Sequence, residues 1–251
     1  MSVSAAIIVK DSIRCIDRCL DSVLNAVDEI VVVDTGSTDG TLEVLERYAE
    51  KYADKVKVYN FEWVGDFSAA RNYSLSKVTS SWVFVVDADD VLPEEEAPKV
   101  RQIIAEMDAK NCKAVFDIIY DNTVGGQIVH TIPEGYVRLF PSELRYKDMI
   151  HEQIVFGSMT RFQSGIHLLH DGYDSNLVDM KTKVKRNIDM LIQNLRIDPD
   201  NASLWLHLAR EMNGLDNTKA LRYLDIAESK TKNPDILKWI YSTREKIPTP
   251  S

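Results

Sequence analysis

Trp82-Val83-Phe84-Val85-Val86 is an unbroken apolar run that passes straight into Asp87-Ala88-Asp89-Asp90. Five apolar residues without alternation predict a strand buried on both faces, as in the middle of a parallel sheet. The chain leaving such a strand must present three carboxylates at its carboxyl end, the edge where open α/β sheets bind ligands. Carboxylates this crowded repel one another unless a cation lies among them. Hard divalent ions, Mg²⁺ or Mn²⁺, take such oxygen ligands and are commonly shared with a substrate's phosphates. The other reading is a turn that runs into a helix N-terminus. Leu92-Pro93-Glu94-Glu95-Glu96, with proline early and acids in the first turn, predicts such a start.

The residues before this run alternate between strand and helix patterns. Residues 3–9 and Glu29-Ile30-Val31-Val32-Val33 are apolar strands. Between them Ile13, Ile16, Leu20, Val23, Leu24 and Val27 recur at helical spacing, with Ser12 as the expected cap. The loop from Asp34 to Thr41 feeds a helix over 41–51, Lys55 to Tyr59 is a third strand, and a helix over 67–78 precedes the strand 81–86. Short links between alternating strands and helices predict a mostly parallel twisted α/β sheet with helices on both faces.

The second half changes character. Ala114–Tyr120 and Gly135–Phe140 read as shorter strands around a loop at 122–126, with another short element at 166–169. From Leu177 the pattern is helical: one helix ended by Pro199, a second capped by Asn201, and others near 219–229 and 234–246. The placement of Trp205, Leu208, Ala209, Ala220 and Ala227 resembles tetratricopeptide hairpins. Two domains are expected, 1–176 and an all-α tail over 177–251 that could also mediate homo-oligomerisation.

The 251 residues carry a net charge of −9, which argues against nucleic acid as the main partner, although Lys181 to Arg186 is locally basic. No apolar stretch approaches the roughly 20 residues needed to cross a bilayer. The N-terminus shows no basic leader, and three cysteines, Cys15, Cys19 and Cys112, supply no even disulfide framework. A cytoplasmic setting with reduced thiols is expected.

In a doubly wound sheet the ends of the first, second and fourth strands open on one edge, which places Asp34 and Asp87 in one crevice. Asp34 suits a uracil or ribose hydroxyl there, or caps its own turn. Gly36 and Gly40 supply the positive φ that a tight loop requires. Small residues at 68–70 permit close approach of a helix start, and Arg71 offers a fixed fork for a phosphate or for a carboxylate of the acidic corner.

Taken together, Ile7-Ile8-Val9-Lys10, the Asp34–Thr41 loop, Phe67-Ser68-Ala69-Ala70-Arg71-Asn72 and Asp87-Ala88-Asp89-Asp90 resemble family 2 glycosyltransferases of the GT-A fold. The resemblance is to the bacterial branch with helical repeats behind the catalytic domain, which includes enzymes that modify bacteriocin peptides. Tyr136–Phe140 with Met149-Ile150-His151-Glu152 is similar to the family's acceptor-side motif, and His170-Asp171-Gly172-Tyr173 to its closing His-x-Gly-Tyr. Asp11-Ser12 departs from the usual Asn-Glu, so helix entry is expected to differ.

The resemblance implies an inverting enzyme with a nucleotide-sugar donor, most often a UDP-sugar, and Mg²⁺ or Mn²⁺. It implies donor contacts at Val9, Asp34, Thr35, Gly36, Asp66, Arg71, Asp87 and Ala88. Asp89 and His170 would hold the ion, with Asp87 binding the ribose, or the ion through water. Arg138 and His151 fall on the acceptor side. Glu152 is the first choice of base and Asp90 the second; a structural Glu152 paired with Arg138 or Arg145 is the alternative. The acceptor is read as a peptide or protein side chain, with a lipid-linked or envelope glycan as the alternative. A nucleotidyltransferase is disfavoured because Lys10-Asp11-Ser12 makes no triphosphate loop, and a non-catalytic helical-repeat module is disfavoured by the intact acidic residues.

Overall fold

A computed structural model describes residues 1–248, the side chain of Glu134 apart. The chain divides into two compact units, Met1–Val178 and Asp179–Ser251.

The first unit runs β1 (Val3–Val9), α1 (Ile16–Val23), β2 (Glu29–Asp34), α2 (Thr41–Lys51), β3 (Val56–Asn60), α3 (Phe67–Lys77), β4 (Trp82–Val85), β5 (Asp90–Val91), α4 (Ala97–Ala109), β6 (Ala114–Val124), β7 (Gln127–Pro141), β8 (Arg145–Lys147), β9 (Gln153–Val155) and β10 (Thr160–His170). Eight strands form one sheet in the order β3-β2-β1-β4-β7-β6-β10-β5, and β8 and β9 form a separate hairpin. The strands β3, β2, β1, β4, β6 and β10 run one way, while β7 and β5 run against them. The mostly parallel α/β sheet read from the alternating pattern is therefore present.

One face of the sheet buries Val3, Ala5, Ile7 and Val9 of β1 against Ile16, Leu20 and Val23 of α1, Leu45 of α2 and Val100 of α4. The other buries Ala6, Val83 and Val85 against Leu75 of α3, Tyr146 of β8 and Ile154 of β9. Burial on both faces is the physical reason that β1, β2 and β4 read as continuous apolar runs.

Several local expectations change. Ser12 does not cap α1 through its side chain: its hydroxyl donates to the Lys10 carbonyl, and its own carbonyl accepts from Cys15 and Ile16. The helix starts at Ile16, and Ile13 is exposed. Residues 94–96 form a turn, and α4 begins only at Ala97 with Pro98 in its first turn. The strands β6, β7 and β10 are longer than the apolar segments suggested, so the expected loop at 122–126 shrinks to Gly125-Gly126 at a hairpin tip. Neither β5 nor the β8–β9 hairpin is visible in the sequence pattern, because each strand has only two or three residues.

The second unit consists of α5 (Met180–Ile197), α6 (Ala202–Met212), α7 (Asn217–Ser229) and α8 (Pro234–Arg244). Leu206, Ala209, Ala220, Leu224, Ala227 and Ile240 form its core. Small residues let α6 and α7 approach closely, as the alanine positions suggested. Asn201 caps α6, its side chain accepting from the amides of Ser203 and Leu204. Among the described residues no helix is long and apolar enough to cross a membrane.

Candidate functional site

The carboxyl ends of β1 and β2 are tied together first. The Val9 carbonyl accepts from both the amide and the hydroxyl of Thr35, at 2.9 and 3.0 Å. Asp34 turns its Oδ2 onto the amides of Gly36 and Ser37, at 2.9 and 3.0 Å, and Gly36 and Gly40 both take positive φ. Asp34 is 3% exposed, and its Oδ1 is buried with no hydrogen-bond partner. An unpaired buried carboxylate oxygen is costly unless something arrives to donate to it.

Asp11 adopts φ 47° and accepts from the amide of Thr38 at 2.7 Å, while Ser12 donates its amide to Thr41 Oγ1 at 2.8 Å. The departure at Asp11-Ser12 thus laces the first loop to the second.

At the end of β4 the chain makes a tight turn. Asp90 donates its amide to the Asp87 carbonyl at 3.0 Å, and its Oδ2 accepts the Asp87 amide at 2.9 Å. Asp87 is gripped from both sides: Oδ1 accepts from Arg71 and Oδ2 from Arg138, each at 2.8 Å. Burial alone would raise the Asp87 pKa, but Arg138 and Arg71 hold it well below the usual carboxylate range. A carboxylate so engaged is a fixed anion between two guanidinium groups, and it lies outside the group of residues able to share an ion. Arg138, expected on the acceptor side, is buried and belongs to this clamp. Ala88 is buried beneath the same turn.

Asp89, Asp90 and His170 are that group: one ligand atom from each lies within 4.8 Å of the others. Asp90 is fully buried, and its Oδ1 lies 2.8 Å from His170 Nδ1. Burial, together with the neighbouring Asp87 and Asp89, pushes the Asp90 carboxyl up to about 6, against the His170 contact. Burial likewise opposes charge on His170, but its bond to Asp90 and the nearby carboxylates raise its pKa overall. With Nδ1 turned to Asp90, Nε2 is the ring atom left for a ligand. Asp90 is therefore sealed away from any acceptor and orients His170, the place an outer carboxylate takes behind a metal-bound imidazole. It is not positioned as the second base.

The free ends of Asp89 and His170 meet over Gly172. A β-carbon there would fall 2.1 Å from Asp89 Oδ2 and 2.6 Å from His170 Nε2. The backbone leaves this space because residue 172 carries no side chain. Asp89 and His170 each offer a ligand atom within 4.8 Å of the other's, a spacing that one divalent ion with further phosphate or water ligands fits.

The first turn of α3 adds the opposite wall. Asp66 caps it through the Ala69 amide at 3.0 Å. Ser68 Oγ donates to the Asp148 carbonyl at 2.5 Å, and the Phe67 amide donates to the Met149 carbonyl at 2.9 Å. These bonds hold the β8–β9 loop, where Asp148 and His151 take φ of 73° and 56°. His151 lies exposed on that loop. Its neighbour Glu152 accepts from Arg71 Nε at 2.5 Å, so the structure pairs Glu152 with Arg71 rather than with Arg138 or Arg145. One buried arginine thereby connects Glu152 to Asp87. No sequence signal announced this link, because Arg71, Asp87 and Glu152 come from three elements far apart in the chain.

The cysteines make no site. Cys15 and Cys19 are buried free thiols, with Cys19 Sγ 3.3 Å from the Asp87 carbonyl, and Cys112 is an exposed one.

Known proteins resemble this chain in sequence and in fold. The chain is 26% identical over 227 residues to the glycosyltransferase SunS of Bacillus phage SPbeta, covering 89% of this chain and 52% of that protein. It is 32% identical over 152 residues to a TPR repeat-containing protein of Synechococcus elongatus, covering 61% of this chain and 35% of the other. The chain therefore spans about half or less of the length of these relatives. Among solved structures, S. aureus TarS 1–349 in complex with UDP-GlcNAc superposes with a TM-score of 0.53 at 15% identity, over 100% of this chain and 93% of that one, a likeness of fold. The family model for glycosyl transferase family 2 matches residues 4–168, which reach from β1 into β10 and stop short of His170. That match covers well over half of the chain, and this chain belongs to glycosyl transferase family 2.

Proposed function

We propose that the protein transfers a sugar from a nucleotide-sugar, a UDP-sugar in the first instance, to an acceptor with inversion at the anomeric carbon. The observation that carries this reading is the pair of free ligand atoms, Asp89 Oδ2 and His170 Nε2, converging over Gly172 at the carboxyl edge of the sheet. Asp89 and His170 would hold Mg²⁺ or Mn²⁺, the imidazole favouring Mn²⁺. The ion, when bound, supplies positive charge against the diphosphate as it leaves.

The protein's own residues do the rest. Asp34 offers its unpartnered Oδ1 to the nucleoside, and Val9, Thr35 and Gly36 shape that pocket. Asp87, pinned by Arg71 and Arg138, presents a rigid turn to the donor. Glu152 takes the acceptor's proton as attack proceeds, and Arg71 fixes the direction in which it points. A thiol acceptor, which ionises more readily than an aliphatic hydroxyl, would lessen the demand on that base.

The acceptor class we favour is a peptide or protein side chain, supported by the appended helical unit, since stacked helical hairpins present extended surfaces to chain-like partners. The test is intact-mass analysis of cysteine- and serine-containing peptides incubated with a panel of UDP-sugars and Mn²⁺. Envelope glycans serve as the competing acceptors. Transfer only to glycans overturns the peptide reading. Neither transfer nor donor hydrolysis under any condition overturns the enzymatic one.

A further inference from the structure

Helix α1 and the turn before it touch both halves of the cation corner. On one side Cys19 Sγ lies 3.3 Å from the Asp87 carbonyl, and Ser22 Oγ accepts the Leu92 amide at 3.1 Å. These contacts hold the turn that presents Asp89. On the other side Arg14 Nη1 lies 2.7 Å from Asp171 Oδ2, and Arg18 Nη2 bonds the same oxygen. Asp171 stands between His170 and Gly172, and its amide is 3.5 Å from the Asp89 carbonyl. Its side chain is 8% exposed, and its Oδ1 is buried without a partner. The two arginines therefore carry all of its visible neutralisation.

We infer that Arg14 and Arg18 are positioning residues for the divalent-cation site, acting through Asp171 to hold His170 and Gly172 against Asp89. This rests on the reading of Asp89 and His170 as cation ligands. The physical reason for two arginines is mechanical. His170 closes β10, paired with Asn122 of β6 and with Asp90 of β5, and the chain leaves the sheet at Asp171. Two guanidinium groups on the one buried Asp171 carboxylate fix the direction in which it leaves. They hold Nε2 of His170 and Oδ2 of Asp89 at a separation a single ion can bridge. Neither arginine touches the ion. Losing them lets Asp171 turn and shifts the 170–172 segment against Asp89, so affinity falls while the fold of the sheet remains.

The decisive experiment titrates the whole chain with Mn²⁺ in the presence of UDP. The free-ion paramagnetic resonance signal is followed, and nitrogen hyperfine coupling from a ligating imidazole is read in the bound state. Arg14→Gln combined with Arg18→Gln is expected to weaken Mn²⁺ about tenfold, as loss of an outer partner does, and to abolish the nitrogen coupling. Arg14→Lys with Arg18→Lys is expected to restore most of both. Asp171→Asn repeats the prediction if the double variant fails to fold by circular dichroism. Wild-type affinity and coupling in the glutamine or asparagine variants overturn the inference while leaving the cation site standing. Absence of Mn²⁺ binding by the wild type, or unchanged binding by Asp89→Ala, overturns the cation site itself.

Discussion

A methyl group at position 172 would overlap both free ligand atoms of the cation corner, at 2.1 and 2.6 Å. Each is the end of a side chain, so both can rotate aside, and the fold survives while the hollow closes. Gly172→Ala is accordingly expected to weaken Mn²⁺ binding by about tenfold or more with little change in melting temperature, measured by the same titration. Tight binding by that variant would falsify the placement of the ion. At this scale Asp89 was proposed from the acidic run after β4, and His170 from the resemblance of residues 170–173 to a family motif. The sequence did not show that Asp90 faces inward. Whether a carboxylate following a strand points to solvent or core depends on the turn, and here the bond from the Asp87 amide turns it in. Nor did it show Arg71 joined to Glu152, or Arg14 and Arg18 joined to Asp171, since these partners lie 81, 157 and 153 positions apart.

Elements divided along a similar line. The helices α2, α3 and α7 were legible because each fills the interval between local turn signals, and Asp66 and Asp216 cap the last two through their side chains. The strand β7 was legible only from Gly135 to Phe140: Gln127, His130 and Pro133 carried no strand signal, but pairing with β6 along most of its length overrides that composition. Two predictions belong to this scale. Glu29 at the start of β2 is buried and accepts from Lys57, Ser4 and the Thr79 amide. Burial would raise its pKa, yet these partners lower it below its ordinary value. Its contribution to stability is therefore present above the unfolded-state pKa of about 4.3 and is lost as pH falls through the lower folded value. Glu29→Gln should cost about 1–3 kcal/mol at neutral pH, and the gap between variant and wild type in denaturant melts should shrink steadily in acid. A gap that does not change with pH would contradict the assignment. In the second unit, Asn201→Ala removes the acceptor for the amides of Ser203 and Leu204. It should destabilise the chain by about 1 kcal/mol in chemical denaturation.

For the whole molecule, ligand linkage provides the test. A donor product that binds the native state at a hundred times its Kd stabilises it by about 2.7 kcal/mol. Scanning calorimetry with UDP and Mn²⁺ should raise the transition of the first unit by several degrees, and EDTA should remove most of the gain. An equal rise with EDTA present would remove the ion from the proposal. What the sequence determined by itself was the class of architecture and the edge at which chemistry could occur. Strands buried on both faces must be apolar throughout, and the first polar residues after them must emerge at the sheet's rim. What only the tertiary structure decided was the division of labour among the charges at that rim. Asp87 is a clamped anion, Asp89 a half-buried carboxylate beside His170, Asp90 a buried support for His170, and Glu152 a carboxylate held by Arg71. Charges act through distance and burial, and for residues brought together from opposite ends of a chain neither is written in their spacing.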